Sequence, residues 1–200
     1  MQPVTVAAFM AASIALYLTP GIDMLFTFAS GAAGGRKVGI AAGLGVSLGS
    51  VFHTVIAVLG VAALIRSSEA AYDVLRYAGA AYLAYLALTV WRSPPARVSG
   101  GGRRSARAAF LRGALGNMLN PKVSIFILAF LPQFTDPAIG PVWMQMAILG
   151  AMFSLGSIPF LLVFGLFAGA FAEKISRGGR LMNRVSALIF GGLAARLVLD

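Results

Sequence analysis

One acidic side chain stands alone in the first apolar stretch of the chain, close to a proline. Asp23 is the only charged residue between Val4 and Ser30, and Pro20 lies three positions before it. A carboxylate at membrane depth costs about 2.5–3.5 kcal/mol on insertion scales, so such acids usually mark functional sites. Proline interrupts a helix, which a membrane tolerates where protein or a water-filled cavity surrounds the break. The combination predicts a transport site inside a membrane protein.

Lys122 and His53 are two further ionisable side chains inside apolar stretches. Asp23 and His53 each have two interpretations. Asp23 can hold a substrate ammonium or carry a coupling proton, or it can form a structural ion pair with Lys122, the only lysine placed inside a predicted span. His53 is the only histidine of the chain. It can relay protons, because histidine changes its charge near neutral pH, or it can bond as a neutral ring to a neighbouring helix.

A second proline break follows in the other half of the chain, at Pro121. The helix starts after Pro20 and Pro121 can present unpaired backbone N–H groups to a substrate carboxylate. Asn117 and Asn120 either add side-chain hydrogen bonds to a substrate or satisfy carbonyls that Pro121 frees. The candidate substrate- and proton-binding residues are Thr19, Pro20, Gly21, Asp23, Ser50, His53, Asn117, Asn120, Pro121, Lys122, Ser154 and Ser157.

The composition is that of a membrane protein, with 59% hydrophobic and 11% charged residues among 200. Apolar runs long enough to span a bilayer predict six transmembrane helices, at about 4–30, 38–65, 70–91, 110–134, 142–171 and 181–199. We therefore expect an all-α polytopic protein with one transmembrane transporter domain over 1–200. The chain has no cysteine, which excludes disulfides, thiolate metal sites and cysteine catalysis.

The formal net charge of +10 is distributed among alternate loops. The second predicted loop is nearly neutral and the fourth carries only Asp136, whereas the first, third and fifth are basic. This positive-inside pattern predicts cytoplasmic loops one, three and five, both termini outside, and no nucleic-acid face. The basic residues of those three loops are Arg36 and Lys37; Arg92, Arg97, Arg103, Arg104 and Arg107; and Lys174, Arg177 and Arg180.

The chain carries the signs of an internal repeat. Residues 47–51 read Ser-Leu-Gly-Ser-Val and residues 154–158 read Ser-Leu-Gly-Ser-Ile, and each half begins with a proline-broken segment. Three spans per half predict two inverted three-helix repeats, over about 1–91 and 110–200, joined by a flexible, basic, cytoplasmic linker at 92–109. The alternative is chance recurrence of small residues that favour close helix packing. We interpret the four serines of these motifs mainly as helix-packing residues, and the alternative is that they line a water-filled path.

Several stretches resemble the signatures of LysE/RhtB-type amino-acid exporters. The first half matches at residues 20–23 (Pro-Gly-Ile-Asp), at 34–45 and at 49–53. The second half matches at 117–122 (Asn-Met-Leu-Asn-Pro-Lys) and at 130–134 (Phe-Leu-Pro-Gln-Phe). The resemblance extends over essentially the whole chain. It implies a bacterial inner-membrane exporter of amino acids or close derivatives, coupled to proton antiport.

The resemblance also shows departures that bear on the substrate. Many members have Pro-Gly-Pro at 20–22, an acid where this chain has Ser50, and an acid near Ser154. Fewer buried acids favour a neutral amino acid such as threonine, homoserine or leucine over a cationic one. The alternative function is export of a metal or inorganic ion, which would require clustered Asp, Glu, His or Cys side chains.

The sequence favours neither an enzyme nor a protein with a cofactor. No paired catalytic carboxylates, Ser-His-Asp set, phosphate loop or metalloprotease motif is present. The expected partners are an amino-acid substrate, protons and the lipid bilayer. Glycines at Gly39, Gly43, Gly45 and Gly49 have the GxxxG spacing that supports either a homodimer or helix packing within one chain.

Overall fold

The computed structural model describes residues 3–61, 69–92 and 105–199, and these residues contain helices and no strands. The predicted all-α class is therefore confirmed. Two π-helical turns, Ala57–Val61 and Phe126–Phe130, and two 3-10 turns, Leu131–Phe134 and Pro137–Ile139, connect or extend the α-helices. The α-helices are α1 (Pro3–Leu18), α2 (Ile22–Gly34), α3 (Arg36–Ile56), α4 (Glu69–Arg92), α5 (Ala106–Met118), α6 (Pro121–Ile125), α7 (Val142–Leu166) and α8 (Ala168–Leu199).

The first break lies between α1 and α2, whose axes bend by 52°. Pro20 offers no N–H to the preceding turn, and Gly21 is extended (φ −158°, ψ −177°), so α2 begins afresh at Ile22. Thr19 closes the end of α1, because its backbone N–H and its hydroxyl both donate to the Ala15 carbonyl. The predicted proline break is thus present.

The second break lies between α5 and the segment that begins at Pro121, with a bend of 51°. Pro121 occupies the first position of α6, where a missing N–H costs nothing. The Asn120 side chain caps α6 by accepting the backbone N–H of Lys122 at 3.0 Å. The chain then continues through the π-helical and 3-10 turns to Phe134.

Two helices are long and apolar enough to cross a membrane by themselves, and up to four spans result when each bent pair counts as one. The two are Arg36–Gly60, which is α3 with part of its π-helical turn, and α7. The bent pairs are α1 with α2, and α5 with the segment Pro121–Phe134. Within the described residues, α4 and α8 cover the third and sixth predicted segments but are not among these candidates.

Two predicted loop boundaries were wrong. The fifth loop, expected between 171 and 181, is helical, because α8 begins at Ala168 and runs through it without interruption. The stretch has charges and a Gly-Gly pair but no proline, and each glycine costs a helix only about 1 kcal/mol. Helix α5 begins at Ala106, inside the predicted linker, where the Ser105 hydroxyl accepts the Ala108 N–H at 3.2 Å. Residues 93–104 of that linker, and most of the second loop, lie outside the described residues.

Helix α3 is central and packs against α2, α5 and α7 through glycines. A Cβ atom added at Gly39 would overlap the Gly165 carbonyl of α7, and one added at Gly45 would overlap the Phe110 carbonyl of α5. A Cβ atom added at Gly49 would lie only 2.6 Å from the Ala114 carbonyl oxygen of α5. The GxxxG faces are therefore used within one chain.

Aromatic residues form much of the core between α1 and the segment that follows the second break. The rings of Phe126 and Phe130 in the π-helical turn are tilted at 36° with their centroids 4.7 Å apart, and Phe130 meets Phe134 edge-on at 4.6 Å. Phe9 of α1 meets Phe134 at 5.4 Å. Helices α4 and α8 pack against each other and add Leu83 and Phe190 to this core. The aromatic cluster fixes α1 against the segment that follows the second break.

Candidate functional site

A narrow cavity of about 50 Å³ lies between the two helix breaks, with room for a few water molecules. Both breaks, α3 and α7 contribute to its wall, so the cavity joins residues from the whole length of the chain. Its apolar side includes Val46, Phe153, Phe160 and Leu161. Its polar side consists of Tyr17, Thr19, Asp23, Ser50, Asn117, Asn120, Lys122 and Ser157.

Asp23 is held in this cavity by two amides of the second half of the chain. Asn117 Nδ2 and Asn120 Nδ2 donate to the same carboxylate oxygen, Oδ2, at 2.9 and 2.8 Å. The amides thus donate to Asp23 and not to carbonyls freed by Pro121, contrary to one expectation. Two donors on one oxygen stabilise the ionised carboxylate and leave its lone pairs on Oδ1 for another cation or donor.

Lys122 caps the first break. An α-helix pairs each N–H with the carbonyl four residues earlier, so Pro20 leaves the Leu16 carbonyl without a donor. The Lys122 ammonium donates to the carbonyls of Thr19 and Leu16, at 3.2 and 3.5 Å. Within the described part of the chain it makes no ion pair with Asp23, so the structural pair considered from the sequence is not formed.

His53 contacts the backbone next to the second break. The Asn117 carbonyl accepts the Asn120 backbone N–H at 2.8 Å, and His53 Nε2 lies 2.9 Å from the same oxygen. The buried ring thus bonds to a neighbouring helix, α5, as one interpretation of the sequence expected. Each break is therefore contacted by a basic side chain from the opposite half of the chain.

The repeated serines meet where α3 crosses α7. The Ser47 hydroxyl donates to the Ser154 carbonyl at 2.6 Å, and the Ser50 hydroxyl lies 2.8 Å from Ser154 Oγ. Ser157 Oγ lies 3.2 Å from Ser47 Oγ. These contacts hold the two helices together, while Ser50 and Ser157 also reach the cavity wall.

The structure brings most of the predicted site residues to one place. Eight of them line the cavity, namely Thr19, Gly21, Asp23, Ser50, Asn117, Asn120, Lys122 and Ser157. Pro20 and Pro121 form the breaks, and His53 and Ser154 stand behind the wall, each bonded to a residue of the cavity.

Two polar residues near the cavity were missed from the sequence. The Tyr17 hydroxyl donates to the Phe153 carbonyl at 2.6 Å and lines the cavity. The Ser124 hydroxyl donates to the Asn120 carbonyl at 3.0 Å and lies 3.2 and 3.5 Å from Nδ1 and Nε2 of His53. The spacing of Asn117, Asn120 and Ser124 is that of one helix face, a signal that the proline at 121 obscured.

The cavity is lined by opposite charges that do not form an ion pair. Asp23, in the first turn of α2, provides a carboxylate, and Lys122 provides an ammonium. Together these two groups can bind a molecule that carries both charges. No group of three His, Cys, Asp or Glu side chains occurs among the described residues.

Apolar helices broken around a buried charged cavity define the class of polytopic membrane transporters. A family model for the LysE type translocator matches residues 14–200, so the chain belongs to that family. It is accordingly a multi-pass membrane transporter and not an enzyme.

Curated relatives are similar over nearly their whole length. An uncharacterized membrane protein of Vibrio cholerae is 30% identical over 189 residues, which is 93% of this chain and 90% of the relative. A leucine efflux protein of an Enterobacter species is 31% identical over 189 residues, 91% of this chain and 89% of the relative. The leucine efflux protein of Salmonella typhimurium is 29% identical over 198 residues, which is 94% of this chain and 92% of the relative. No solved structure matches the chain.

Proposed function

We propose that this protein exports a small neutral amino acid from the bacterial cytoplasm in exchange for protons. The observation that carries the proposal is the cavity between the two breaks, where Asp23 and Lys122 both line the wall but bond to other partners. Family membership and the relatives named leucine efflux protein support the same class of cargo.

In this proposal the two charged groups of the cavity, Asp23 and Lys122, bind the two ends of a zwitterion. The substrate ammonium binds Oδ1 of Asp23, the oxygen that the two asparagine amides leave free. The carboxylate binds the N–H groups at the start of α2 and the Lys122 ammonium. Phe153, Phe160 and Leu161 then face the side chain, which favours leucine, with threonine and homoserine as further candidates.

Transport requires the cavity to widen. A volume that holds only a few waters is smaller than any of these amino acids, so α2 and its partners must move apart to admit one. The broken helices are the natural hinges, since their carbonyls are tied by side chains and not by a continuous helical ladder. If the Lys122 ammonium leaves the Thr19 carbonyl to bind a substrate carboxylate, substrate binding is coupled to the opening of the cavity.

The architecture that fits this mechanism has six spans in two inverted halves, about 1–91 and 110–200, joined by a cytoplasmic linker at 92–109. The contacts between equivalent elements support it, since α3 meets α7 through the repeated serines and α4 meets α8. The basic loops then face the cytoplasm and both termini face the outside of the inner membrane. Asp23 is the proposed carrier of the exchanged proton, with His53 as a relay.

The test is efflux from cells that are preloaded with dipeptides and carry wild-type protein, Asp23→Asn or Asp136→Asn. Asp136 is exposed and caps a short 3-10 turn, so it is a matched control. We expect wild type and Asp136→Asn to release one or a few neutral amino acids and Asp23→Asn to release none. Full export by Asp23→Asn would overturn the assignment. A panel without any exported amino acid would favour the alternative cargo, a metal or inorganic ion.

A further inference from the structure

Two buried hydroxyl groups of α2 have no hydrogen-bond partner within the described part of the chain. Thr27 and Ser30 are both 0% exposed, and neither Thr27 Oγ1 nor Ser30 Oγ bonds to another described group. Burying a hydroxyl without a partner is unfavourable, and native proteins contain few such groups. Two of them on one helix therefore require an explanation.

Other buried hydroxyls of the chain show the usual solution. Ser13 and Thr19 each donate to the backbone carbonyl four residues earlier, at 2.9 and 2.6 Å. Thr27 and Ser30 lie in the middle of an α-helix, where such carbonyls are in reach, and yet make no bond of this kind. Their hydroxyls thus remain available to a molecule from outside the chain.

The two hydroxyls lie on the same face of α2 as Asp23. Residues four and seven positions after Asp23 share its side of the helix, and these are Thr27 and Ser30. Asp23 lines the cavity at one end of this polar face. Gly34 follows at the other end, where it is exposed and close to Lys37 in the first turn of α3. The polar face of α2 thus runs from the cavity to the surface.

The polar face is closed near its outer end by contact between helix backbones. A Cβ atom added at Gly31 of α2 would overlap the Gly165 carbonyl of α7, and one added at Gly39 of α3 would overlap the same carbonyl. The three glycines lie at the ends of their helices that are on the side of Lys37. Three helices therefore meet there without side chains between them, which leaves Thr27 and Ser30 buried behind the contact.

We propose that Thr27 and Ser30 line the passage by which water and cargo reach Asp23 from the side of the membrane on which Lys37 lies. The passage is closed in this structure. When α2 separates from α7 at Gly31 and Gly165, water can bond to both hydroxyls, so the open form gains hydrogen bonds that the closed form lacks. The identity of the cargo rests on the proposed function, whereas the opening of the passage to water does not.

The chain has no cysteine, so single cysteines can report the passage. Thr27→Cys and Ser30→Cys are treated with a small charged methanethiosulfonate in right-side-out and in inside-out membrane vesicles. Lys37→Cys, at an exposed residue, identifies the side on which the passage opens, whichever side is the cytoplasm. Ser13→Cys is the matched control, because Ser13 is equally buried but lies on α1 and has its own partner.

We expect Thr27→Cys and Ser30→Cys to react from the side of Lys37→Cys. Their rates should exceed that of Ser13→Cys at least about tenfold, because they react through an open form of the native protein, whereas Ser13 requires local unfolding. Reaction no faster than that of Ser13→Cys, or reaction from the opposite side only, would overturn the proposal.

Gly31→Ala tests the closing contact. Its methyl group would overlap the Gly165 carbonyl and disfavour the closed form, so Thr27→Cys should react at least about threefold faster in this background. Gly116→Ala, whose Cβ meets nothing within 4 Å, should leave the rate unchanged. If Gly31→Ala does not fold, Gly39→Ala, which meets the same carbonyl, takes its place. An unchanged or slower reaction would show that this contact does not close the passage.

Thr27→Val separates the passage from ordinary packing. Valine has nearly the same shape but lacks the hydroxyl, which is unbonded in the closed form and hydrated in the open one. We expect the melting temperature to rise by about 2–4 °C and Ser30→Cys to react at least about threefold more slowly in this background. A lower melting temperature or an unchanged rate would refute the role of Thr27. If the cysteines react as expected but wild type exports no amino acid, the proposed function fails and the passage stands.

Discussion

At each helix break, a basic side chain from the opposite half of the chain contacts backbone carbonyls. Lys122 donates to the carbonyls at the end of α1, and His53 Nε2 lies beside the Asn117 carbonyl of α5, which also accepts the Asn120 backbone N–H. Buried carbonyls without donors are costly, particularly in a membrane, where no water replaces the missing partner. Lys122 therefore supplies the donor that Pro20 removes at the end of α1.

Lys122 should contribute measurably to stability. Lys122→Met removes both hydrogen bonds from a charged donor to the α1 carbonyls, so we expect a loss of about 2 kcal/mol in the free energy of unfolding. Lys37→Met, at an exposed residue of the first turn of α3, should change it by less than about 0.5 kcal/mol. Denaturant unfolding in detergent measures both. Equal stability of the two variants would show that Lys122 does not cap the break.

Two features of the breaks were predictable from the sequence. A proline identifies the carbonyl that loses its donor, four residues earlier, and Asp23 stood out as the lone charge of its segment. The partners were not predictable, because they lie between 64 and 106 residues away in the sequence and depend on helix packing. The alternative of an ion pair between Asp23 and Lys122 is not formed, because the carbonyls at the end of α1 hold the ammonium.

At the scale of the helices, glycine determines how closely α3 approaches its neighbours. A Cβ atom at Gly45 would overlap the Phe110 carbonyl of α5, whereas one at Gly116 meets nothing within 4 Å. We expect Gly45→Ala to lose about 1–3 kcal/mol through overpacking and Gly116→Ala to be neutral or slightly stabilising, because alanine favours the helix. Thermal unfolding of the two variants compares them. A Gly45→Ala protein as stable as Gly116→Ala would contradict the close packing.

The helices themselves were largely predictable, because long apolar runs and proline breaks act locally. The boundaries were less so. The Gly-Gly pair and the charges before residue 181 indicated a loop, yet α8 passes through them, since the stretch has no proline and many helix-forming residues. The π-helical turns at Ala57–Val61 and Phe126–Phe130 have no comparable sequence signal.

The proposed orientation of the whole molecule rests on its basic loops and can be tested with single cysteines. The chain has none of its own, so Lys37→Cys and Asp136→Cys each introduce one reactive thiol. The positive-inside rule places Lys37 in the cytoplasm and Asp136 outside. We expect a membrane-impermeant maleimide to label Asp136→Cys in intact cells and Lys37→Cys only after permeabilisation. The reverse pattern would invert the proposed topology.

The central claim is that one cavity holds both ends of a zwitterion, with Asp23 on the ammonium. The most direct measurement is counterflow of radiolabelled leucine in proteoliposomes, compared with N-acetyl-leucine, which lacks the ammonium, and isoamylamine, which lacks the carboxylate. We predict that wild type exchanges leucine and is slower with either analogue by at least about tenfold, the equivalent of about 1.4 kcal/mol. Asp23→Asn should not exchange leucine. Exchange of N-acetyl-leucine as fast as leucine, or an unimpaired Asp23→Asn protein, would contradict the account.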